Sequence, residues 1–383
     1  MSTFASSKQT MTHRERVLAA LAHRQPDRVP MDFGSTRTTA IHIDAYQNLK
    51  RYFGIEAPDR IIDRVQLAVA VDDTILEKLD IDTRGVWYGS PDNWQDIQID
   101  PETYQDEWGV VRRRPPDSHY NDLIQSPLAG EITIKDIASY KWPDPYDPGR
   151  RRGLKERMEA LKKTDYAVVL NLAGGVVHIS QYLRGFEDWF VDMAVDKALA
   201  GALLDAIVDF AVAVNEAALQ QVGHLADVVF FGDDVAQQNG PAVSPATYRE
   251  VIKPRHKRIF DGVRKYTDAP ILYHSCGSLV ALLGDIVEIG VNAINPVQTT
   301  AKGMDPEVLK SRWGDKLSFW GGVDSHRVLP HGTPDDVRSE VFLRIRQLGR
   351  NGGYVLNSVH NLQPDVPPEN IVAMFAAGLE AKE

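Results

Sequence analysis

The feature that most restricts the fold of this chain is a repeated pattern of short apolar, β-branched runs. Most of these runs precede a polar loop and then a segment with helical periodicity, a pattern that predicts βα units. The runs cover residues 28–34, 83–89, 166–174, 227–234, 270–277, 291–297, 317–324 and 353–361. A closed (β/α)8 barrel needs eight such strands. The sequence therefore predicts the α/β class, with one (β/α)8 TIM barrel over residues 1–383.

The segments between the runs carry helix signals and one interruption. Ser244-Pro245 and Thr333-Pro334 each place a capping side chain before a proline, which favours a helix start. Residues 90–150 break the pattern with prolines, tryptophans and the alternating stretch "DEWGVVRRR", and they predict a β-hairpin insertion after strand two that shapes a lid or an interface. The N-terminal helix in "MTHRERVLAALAHR" is expected either to plug the barrel bottom or to form a dimer contact.

Charge and cysteine content exclude several classes of protein. A formal net charge of -10, without a run of basic residues, argues against nucleic acid as a partner. A single cysteine cannot form a disulfide within the chain, and the first thirty residues show neither a leader nor a long apolar span. We therefore expect a cytoplasmic protein without a membrane partner.

Polar residues follow the predicted strands at the end where barrel enzymes place their chemistry. Any one of them alone is better explained as a cap or a loop contact, but the whole set is not. The residues are Asp32, Asn171, Asp233, Asp234, His274, Cys276, Asp324, His326, Asn357 and His360.

Three of these residues predict a metal site. His274 and Cys276 are two positions apart at a strand end, so both side chains point to the same side and can face one ion. Gly277 lets the backbone turn away sharply, and His360 near the end of strand eight is the third candidate ligand. Imidazole and thiolate donors with an open fourth position are typical of catalytic zinc. The alternatives are a buried cysteine and a histidine bonded to a loop carbonyl.

The remaining candidates concern catalysis and the substrate. Adjacent carboxylates project to opposite sides of a strand, so we favour Asp234 as the catalytic group facing the pocket, with Asp233 bracing the loop beside the substrate. Asp32 is expected to orient the substrate or stabilise positive charge, and Arg37 to pair with a substrate carboxylate. Either can equally form a structural ion pair. Asn171 and Asp324 are further candidates for substrate contact.

Motifs along nearly the whole chain resemble the uroporphyrinogen decarboxylase superfamily and, within it, the corrinoid-linked methyltransferases. They include "RERVLAALAHRQPDRVPMDFG", "GDDVAQQNGPAVSP", "YHSCGS" and "WGGVDSHRVLPHGTPDDV". The resemblance implies a (β/α)8 barrel and a homodimer. The decarboxylase itself has an arginine-rich segment after strand one, where this chain reads "MDFGSTRTT" with Arg37 as its one basic residue. Decarboxylation of a polyacidic porphyrinogen is therefore not expected.

The resemblance also suggests the chemistry. Thiol-methylating members of the family have a second cysteine where this chain places His360. Zinc with one thiolate and two neutral imidazoles keeps a charge of about +1, which suits an oxygen ligand better than a neutral two-thiolate site does. We therefore predict O-demethylation of a small methoxylated aromatic compound, with a methylated amine as the less favoured donor, and with the methyl group passed to a corrinoid on a separate protein. One alternative is a metal-independent decarboxylase or other lyase that uses Asp32, Asp234 and Arg37, and another is a non-catalytic binding or assembly protein, which the many polar strand ends disfavour.

Overall fold

The computed structural model describes residues 10–381. In chain order its strands are β1 Ile41–His42, β2 Ile61–Asp63, β3 Ala68–Val69, β4 Thr83–Val86, β5 Ile97–Asp100, β6 Thr103–Gln105, β7 Val111–Arg113, β8 Asp122–Gln125, β9 Ala167–Asn171, β10 Val228–Gly232, β11 Ala236–Gln237, β12 Gly240–Pro241, β13 Ile271–His274, β14 Ala293–Asn295, β15 Ser318–Trp320 and β16 Tyr354–Val355. The short strands β11 and β12 pair with each other.

The α-helices pack mostly outside the main sheet. In chain order they are α1 His13–Leu21, α2 Ile43–Phe53, α3 Asp73–Lys78, α4 Ile134–Ser139, α5 Leu154–Lys162, α6 Val176–Arg184, α7 Phe186–Val195, α8 Lys197–Val222, α9 Pro245–Thr247, α10 Lys253–Arg264, α11 Leu283–Glu288, α12 Pro306–Trp313, α13 Val328–His331, α14 Pro334–Leu348 and α15 Pro368–Glu380. A π-helical turn over Tyr248–Ile252 joins α9 to α10. The predicted caps Ser244 and Thr333 begin α9 and α14.

The main sheet is a curled parallel sheet of seven strands in the order β16-β15-β14-β13-β10-β9-β4. The predicted first strand is reduced to a bridge between Met31 and Leu356. There the Asp32 N–H donates to the Leu356 carbonyl at 3.0 Å, and the Asp82 N–H, just before β4, donates to the Met31 carbonyl at 3.0 Å. The segment around Met31 thus lies between the two edge strands, and the predicted α/β barrel is confirmed.

The N-terminal helix closes the bottom of the barrel. Val17 and Leu21 of α1 share a buried cluster with alternate residues of the barrel strands, including Val169, Val228 and Leu272. Alternate residues share one face of a strand, so this cluster is the barrel interior. Of the two roles expected for α1, the plug is the one that the structure shows.

The insertion is larger than the predicted hairpin. Strands β5 to β8 form a four-stranded antiparallel sheet within residues 90–150, and α4 follows it. A second antiparallel sheet, β1-β3-β2, is formed by residues that come between the first two barrel strands in the sequence, and it was not predicted. Its strands have only two or three residues, too few for a periodic signal.

Helix α8 is long and apolar enough to cross a membrane by length and composition, but 61% of its most apolar window is buried inside the fold. Burial of this kind is what a core helix of a soluble protein shows. Helix α8 is therefore packed as a core helix of the barrel-type fold.

Strand alternation decides which side chains reach the mouth of the barrel. Val169 faces the interior, and so does Asn171 two residues later at the end of β9. By the same rule Leu272 places His274 and then Cys276 on the inner side. Asp234 lies an even number of residues after the interior residues Val228 and Phe230, so it faces the interior side as well. Asp233 lies two residues after Phe231, which faces outward, so Asp233 faces the outer side.

Candidate metal centre at the mouth of the barrel

The predicted metal ligands lie together at the carboxyl ends of the strands. One ligand atom from each of His274, Cys276 and His360 lies within 4.8 Å of the others. The His274 Nε2 atom is 3.6 Å from Cys276 Sγ, and the two imidazole rings are 5.5 Å apart at 64°. Tetrahedral zinc with bonds of about 2.05 Å to nitrogen and about 2.3 Å to sulfur separates those donors by about 3.6 Å. The spacing of the first two donors therefore fits zinc.

Asn295 at the end of β14 sets the orientation of the His274 ring. The Asn295 Nδ2 group donates to the Trp320 carbonyl at 3.1 Å, so its Oδ1 atom faces His274 Nδ1, at 2.5 Å. An amide oxygen only accepts, so the proton of the imidazole lies on Nδ1 and the Nε2 lone pair faces Cys276. Burial lowers the pKa of His274 to about 4. The ring is neutral at neutral pH, the form that binds a metal.

The loop after β13 positions the thiol. Gly277 has a φ angle of 88°, and a side chain there would meet the Gln237 carbonyl oxygen at 2.6 Å, so the predicted sharp turn is confirmed. The Cys276 N–H donates to Asp234 Oδ1 at 2.7 Å. Burial, and then the Asp234 carboxylate, raise the pKa of Cys276 well above its usual value. A thiolate at this position needs a cation beside it, which a metal ion supplies.

His360 reaches the site from the loop that follows β16. Its carbonyl accepts a hydrogen bond from Ser358 Oγ at 2.6 Å, and its Nδ1 atom contacts the Asn361 side-chain oxygen. That contact leaves Nε2 as the nitrogen with a free lone pair. Burial lowers the pKa of His360, which favours the neutral ring.

Asp233 and Asp234 point in opposite directions, as strand alternation predicts. The Asp234 carboxylate lies at the mouth, 3.7 Å from His274 Nε2 and 3.3 Å from His178 Nε2. Asp233 is fully buried and accepts hydrogen bonds from the Val177 N–H at 2.9 Å and from His256 at 2.8 Å. The Asp233 oxygens are bonded behind the strand to α6 and α10, which agrees with the expected bracing role, and contact of Asp233 with a substrate stays a prediction.

The other carboxylates also have partners within the chain. Asp32 is fully buried and accepts hydrogen bonds from Thr83 Oγ1 at 2.6 Å and from Trp320 Nε1 at 2.8 Å. Burial raises its pKa. Asp324 accepts the backbone N–H groups of His326 at 2.8 Å and Arg327 at 3.1 Å, which makes it the cap of the loop after β15. Contact of either carboxylate with a substrate remains a prediction.

Arg37 and Asn171 retain unused hydrogen-bonding capacity. The Arg37 Nη1 atom is 3.9 Å from Asp63 Oδ2, too far for a hydrogen bond, and the Arg37 side chain is 38% exposed. A side chain at the inward-facing Gly232 would lie 3.4 Å from Arg37 Nη2, which places the guanidinium over the mouth. Asn171 donates to the carbonyls of Ser35 and Val86, while its buried Oδ1 has no hydrogen-bond partner within residues 10–381.

Asn295 and Tyr120 are not predicted from the sequence, and His178 is predicted only as a helix-surface residue. Asn295 ends β14 and lies inside the sixth predicted run, and its polar side chain near a strand end was the available signal. His178 is the third residue of α6, a position that by helical pattern alone is typical of a helix surface. Tyr120 of the insertion lies close enough to Cys276 that burial, followed by the nearby cysteine, raises the pKa of Tyr120. The insertion therefore reaches the candidate site.

Comparison with known proteins identifies the family. The profile of the uroporphyrinogen decarboxylase family matches residues 124–380, about two thirds of the chain. The chain belongs to the uroporphyrinogen decarboxylase family. It is an enzyme of that superfamily, as the sequence motifs predict.

Individual relatives show how far the similarity extends. The uroporphyrinogen decarboxylase of Chlorobium luteolum is 28% identical over 167 residues, which cover 42% of this chain and 44% of that protein. The enzyme of the same name from a Synechococcus species is 27% identical over 312 residues, which cover 76% of this chain and 83% of that protein. The chain thus spans less than half the length of the Chlorobium relative.

A solved structure shows the same fold over almost the whole chain. A methyltransferase from Methanosarcina mazei superimposes with a TM-score of 0.67 at 19% identity, covering 97% of this chain and 99% of that chain. At this identity the likeness concerns the fold and agrees with the α/β barrel.

Proposed function

We propose that this enzyme is a zinc-dependent methyltransferase that demethylates a small methoxylated aromatic compound and passes the methyl group to a corrinoid protein. The observation that carries the proposal is the cluster of His274, Cys276 and His360, whose donor atoms lie within 4.8 Å of one another at the barrel mouth. The likeness to the Methanosarcina mazei methyltransferase supports the same class of reaction.

The residues present fit a catalytic zinc ion. In each of the two histidines the Nδ1 atom contacts the side-chain oxygen of an asparagine, which leaves Nε2 free to bind a metal. Cys276 can supply a thiolate. Three donors leave a position for substrate. A zinc ion held there would act as a Lewis acid toward the ether oxygen and stabilise the departing alkoxide or phenolate. The chain contributes the orientation of the donors and the Asp234 carboxylate beside them.

The substrate side of the proposal uses residues that still have free capacity. Arg37 would pair with an acidic group of the substrate, because its guanidinium lies over the mouth and its nearest carboxylate is 3.9 Å away. Asn171 would accept a hydrogen bond through Oδ1, which has no other partner within residues 10–381. Asp234 would act at the reacting end of the pocket, where it lies 3.7 Å from His274.

The corrinoid is proposed to be carried by a separate partner protein, as the family resemblance implies. A homodimer and a cytoplasmic location are proposed on the same basis. The insertion over residues 90–150 is proposed to serve as a lid, because it brings Tyr120 close to Cys276.

A metal-independent decarboxylase or lyase is the second candidate. It is favoured by the name of the relatives and by the buried acid Asp32, whose pKa burial raises. It would rely on Asp32, Asp234 and Arg37. The complete enclosure of Asp32 argues against its direct contact with a substrate.

Metal analysis followed by an activity screen separates the two candidates. The protein, purified without chelators, should contain close to one zinc per chain, and His360→Ala should lose it, whereas His331→Ala on the exposed end of α13 should retain it. Methoxylated aromatics with reduced corrinoid should then yield methylated corrinoid in a chelator-sensitive reaction. Protein free of zinc, or carbon dioxide release that survives chelation, would favour the lyase.

A further inference from the structure

The His178 ring lies between the two adjacent carboxylates that end β10. Its Nδ1 atom is 3.5 Å from Asp233 Oδ1, and its Nε2 atom is 3.3 Å from Asp234 Oδ2. The His178 backbone N–H also donates to Asp233 Oδ1, at 3.2 Å. Tyr182 stacks on the ring at 6.0 Å, one helical turn further along α6. The imidazole therefore bridges the outer and inner faces of the strand end.

The two carboxylates differ in how firmly they are held. Asp233 is anchored behind the strand by His256 and by the first N–H groups of α6. Asp234 lies at the mouth with its side chain 30% exposed, and its Oδ1 atom accepts the Cys276 N–H at 2.7 Å. A carboxylate with one fixed oxygen can still rotate, so a second contact on Oδ2 is needed to define its plane. His178 supplies that contact.

We propose that His178 is a positioning residue that holds Asp234 against the backbone of Cys276 and thereby orients the metal-binding loop. The inference rests on the proposed function, since it assigns a role relative to the metal ligands. Groups that orient metal ligands through hydrogen bonds contribute strongly to metal affinity. Charge-assisted hydrogen bonds are stronger than neutral ones, which suits an imidazolium between two carboxylates.

The charge state of the ring agrees with this role. Burial opposes a charged imidazole, but hydrogen bonds to Asp233 and Asp234 outweigh burial and raise the pKa of His178 well above its usual value. The competing explanation is that His178 only neutralises the buried Asp233 and so stabilises the fold. The two explanations differ in whether His178 acts through Asp234.

A double-mutant cycle on the full chain distinguishes the two explanations. His178→Leu and Asp234→Asn should each lower zinc affinity by about 10-fold or more, measured by competition with a chromophoric chelator. Their combination should be no weaker than Asp234→Asn alone, because both changes remove the same contact. His178→Gln keeps a donor toward Asp234 and should restore most of the affinity. His224→Leu, an exposed site before β10, is the matched control and should bind zinc like wild type.

Cobalt(II) in place of zinc gives a second readout that a purely structural role would not change. The thiolate absorption band should shift in His178→Leu and Asp234→Asn alike, and remain in His178→Gln. Effects that multiply in the double variant, or an unchanged affinity and spectrum in His178→Leu, would overturn the proposal. Should the leucine variant fail to unfold cooperatively, His178→Asn, too short to reach Asp234, takes its place in the cycle.

The test remains decisive if wild type binds no metal, an outcome that would refute the proposed function instead. Cys276 is the one cysteine of the chain, so alkylation of the metal-free protein reports on its loop alone. Equal increases of the alkylation rate in His178→Leu and Asp234→Asn, without a further increase in the double variant, support the positioning role. A wild-type rate in His178→Leu contradicts it.

Discussion

Replacing Asn295 by leucine tests whether the orientation of His274 governs metal binding. Asn295 is fully buried, and its Oδ1 atom lies 2.5 Å from His274 Nδ1. Leucine has a similar size but cannot accept that hydrogen bond, so the ring loses the contact that keeps its proton on Nδ1. Loss of a partner that orients a metal-binding histidine typically costs about 10- to 100-fold in affinity. This corresponds to about 1.4 to 2.8 kcal/mol of binding free energy.

The same substitution also affects folding, and the two effects must be measured separately. Asn295 Nδ2 donates to the Trp320 carbonyl at 3.1 Å, and leucine leaves that buried carbonyl unpaired. An unsatisfied buried acceptor costs about 1 to 3 kcal/mol of folding stability. Urea unfolding of the metal-free protein gives this second quantity independently of zinc.

Asn295→Asp is the informative comparison. Aspartate keeps an oxygen facing His274 Nδ1 but cannot donate to the Trp320 carbonyl. We expect it to lose stability like leucine while retaining zinc affinity close to wild type, measured by chelator competition. Zinc affinity within about twofold of wild type in Asn295→Leu would refute the assigned role of Asn295, since it lies far below the expected loss.

Three further predictions concern the ligands and one acid of the insertion. Cys276→Ser should abolish zinc retention while the thermal unfolding midpoint stays near that of wild type; normal metal content would refute the ligand assignment. His360→Ala should lower zinc affinity, and His360→Cys should restore binding with a shift in preference from oxygen toward thiolate ligands, measured by ligand competition. Burial raises the pKa of Asp106 to about 6 from 3.8, so the folded state binds its proton more tightly than the unfolded state. Relative to Asp106→Asn, wild type should gain about 3 kcal/mol in urea unfolding as the pH falls from about 7 to below about 4, and a constant difference would contradict this.

The sequence predicted those parts of the structure that depend on local periodicity. Strand alternation places His274 and Cys276 on one side of β13, and it sends Asp233 and Asp234 to opposite sides of β10. The eight strand positions follow from apolar runs for the same reason. The position of His360 required one further step, the closure of the barrel, which brings the ends of β13 and β16 to the same rim.

The parts that escaped prediction depend on contacts between distant segments. Asn295 acts on His274 across two neighbouring strands, and His178 meets Asp234 from a helix 56 positions earlier in the sequence. No spacing rule links such pairs, because their separation depends on loop lengths. The β1-β3-β2 sheet is missing from the prediction, and the β5-β6-β7-β8 sheet was predicted only as a hairpin, because most of these strands are too short or too polar for alternation to show.

The surrounding charges bear on the argument that one thiolate and two imidazoles suit an oxygen ligand. Asp234 lies 3.7 Å from His274 Nε2 and, taken alone, would offset much of the positive charge that this donor set leaves on a metal. His178 lies 3.3 Å from the other oxygen of that carboxylate, and although burial opposes the charged ring, hydrogen bonds to Asp233 and Asp234 raise the pKa of His178, which favours a compensating positive charge. The preference for oxygen therefore depends on His178 and Asp234 as a pair. Removing His178 should therefore shift the ligand preference of the metal site from oxygen toward thiolate, even though His178 is not itself a ligand.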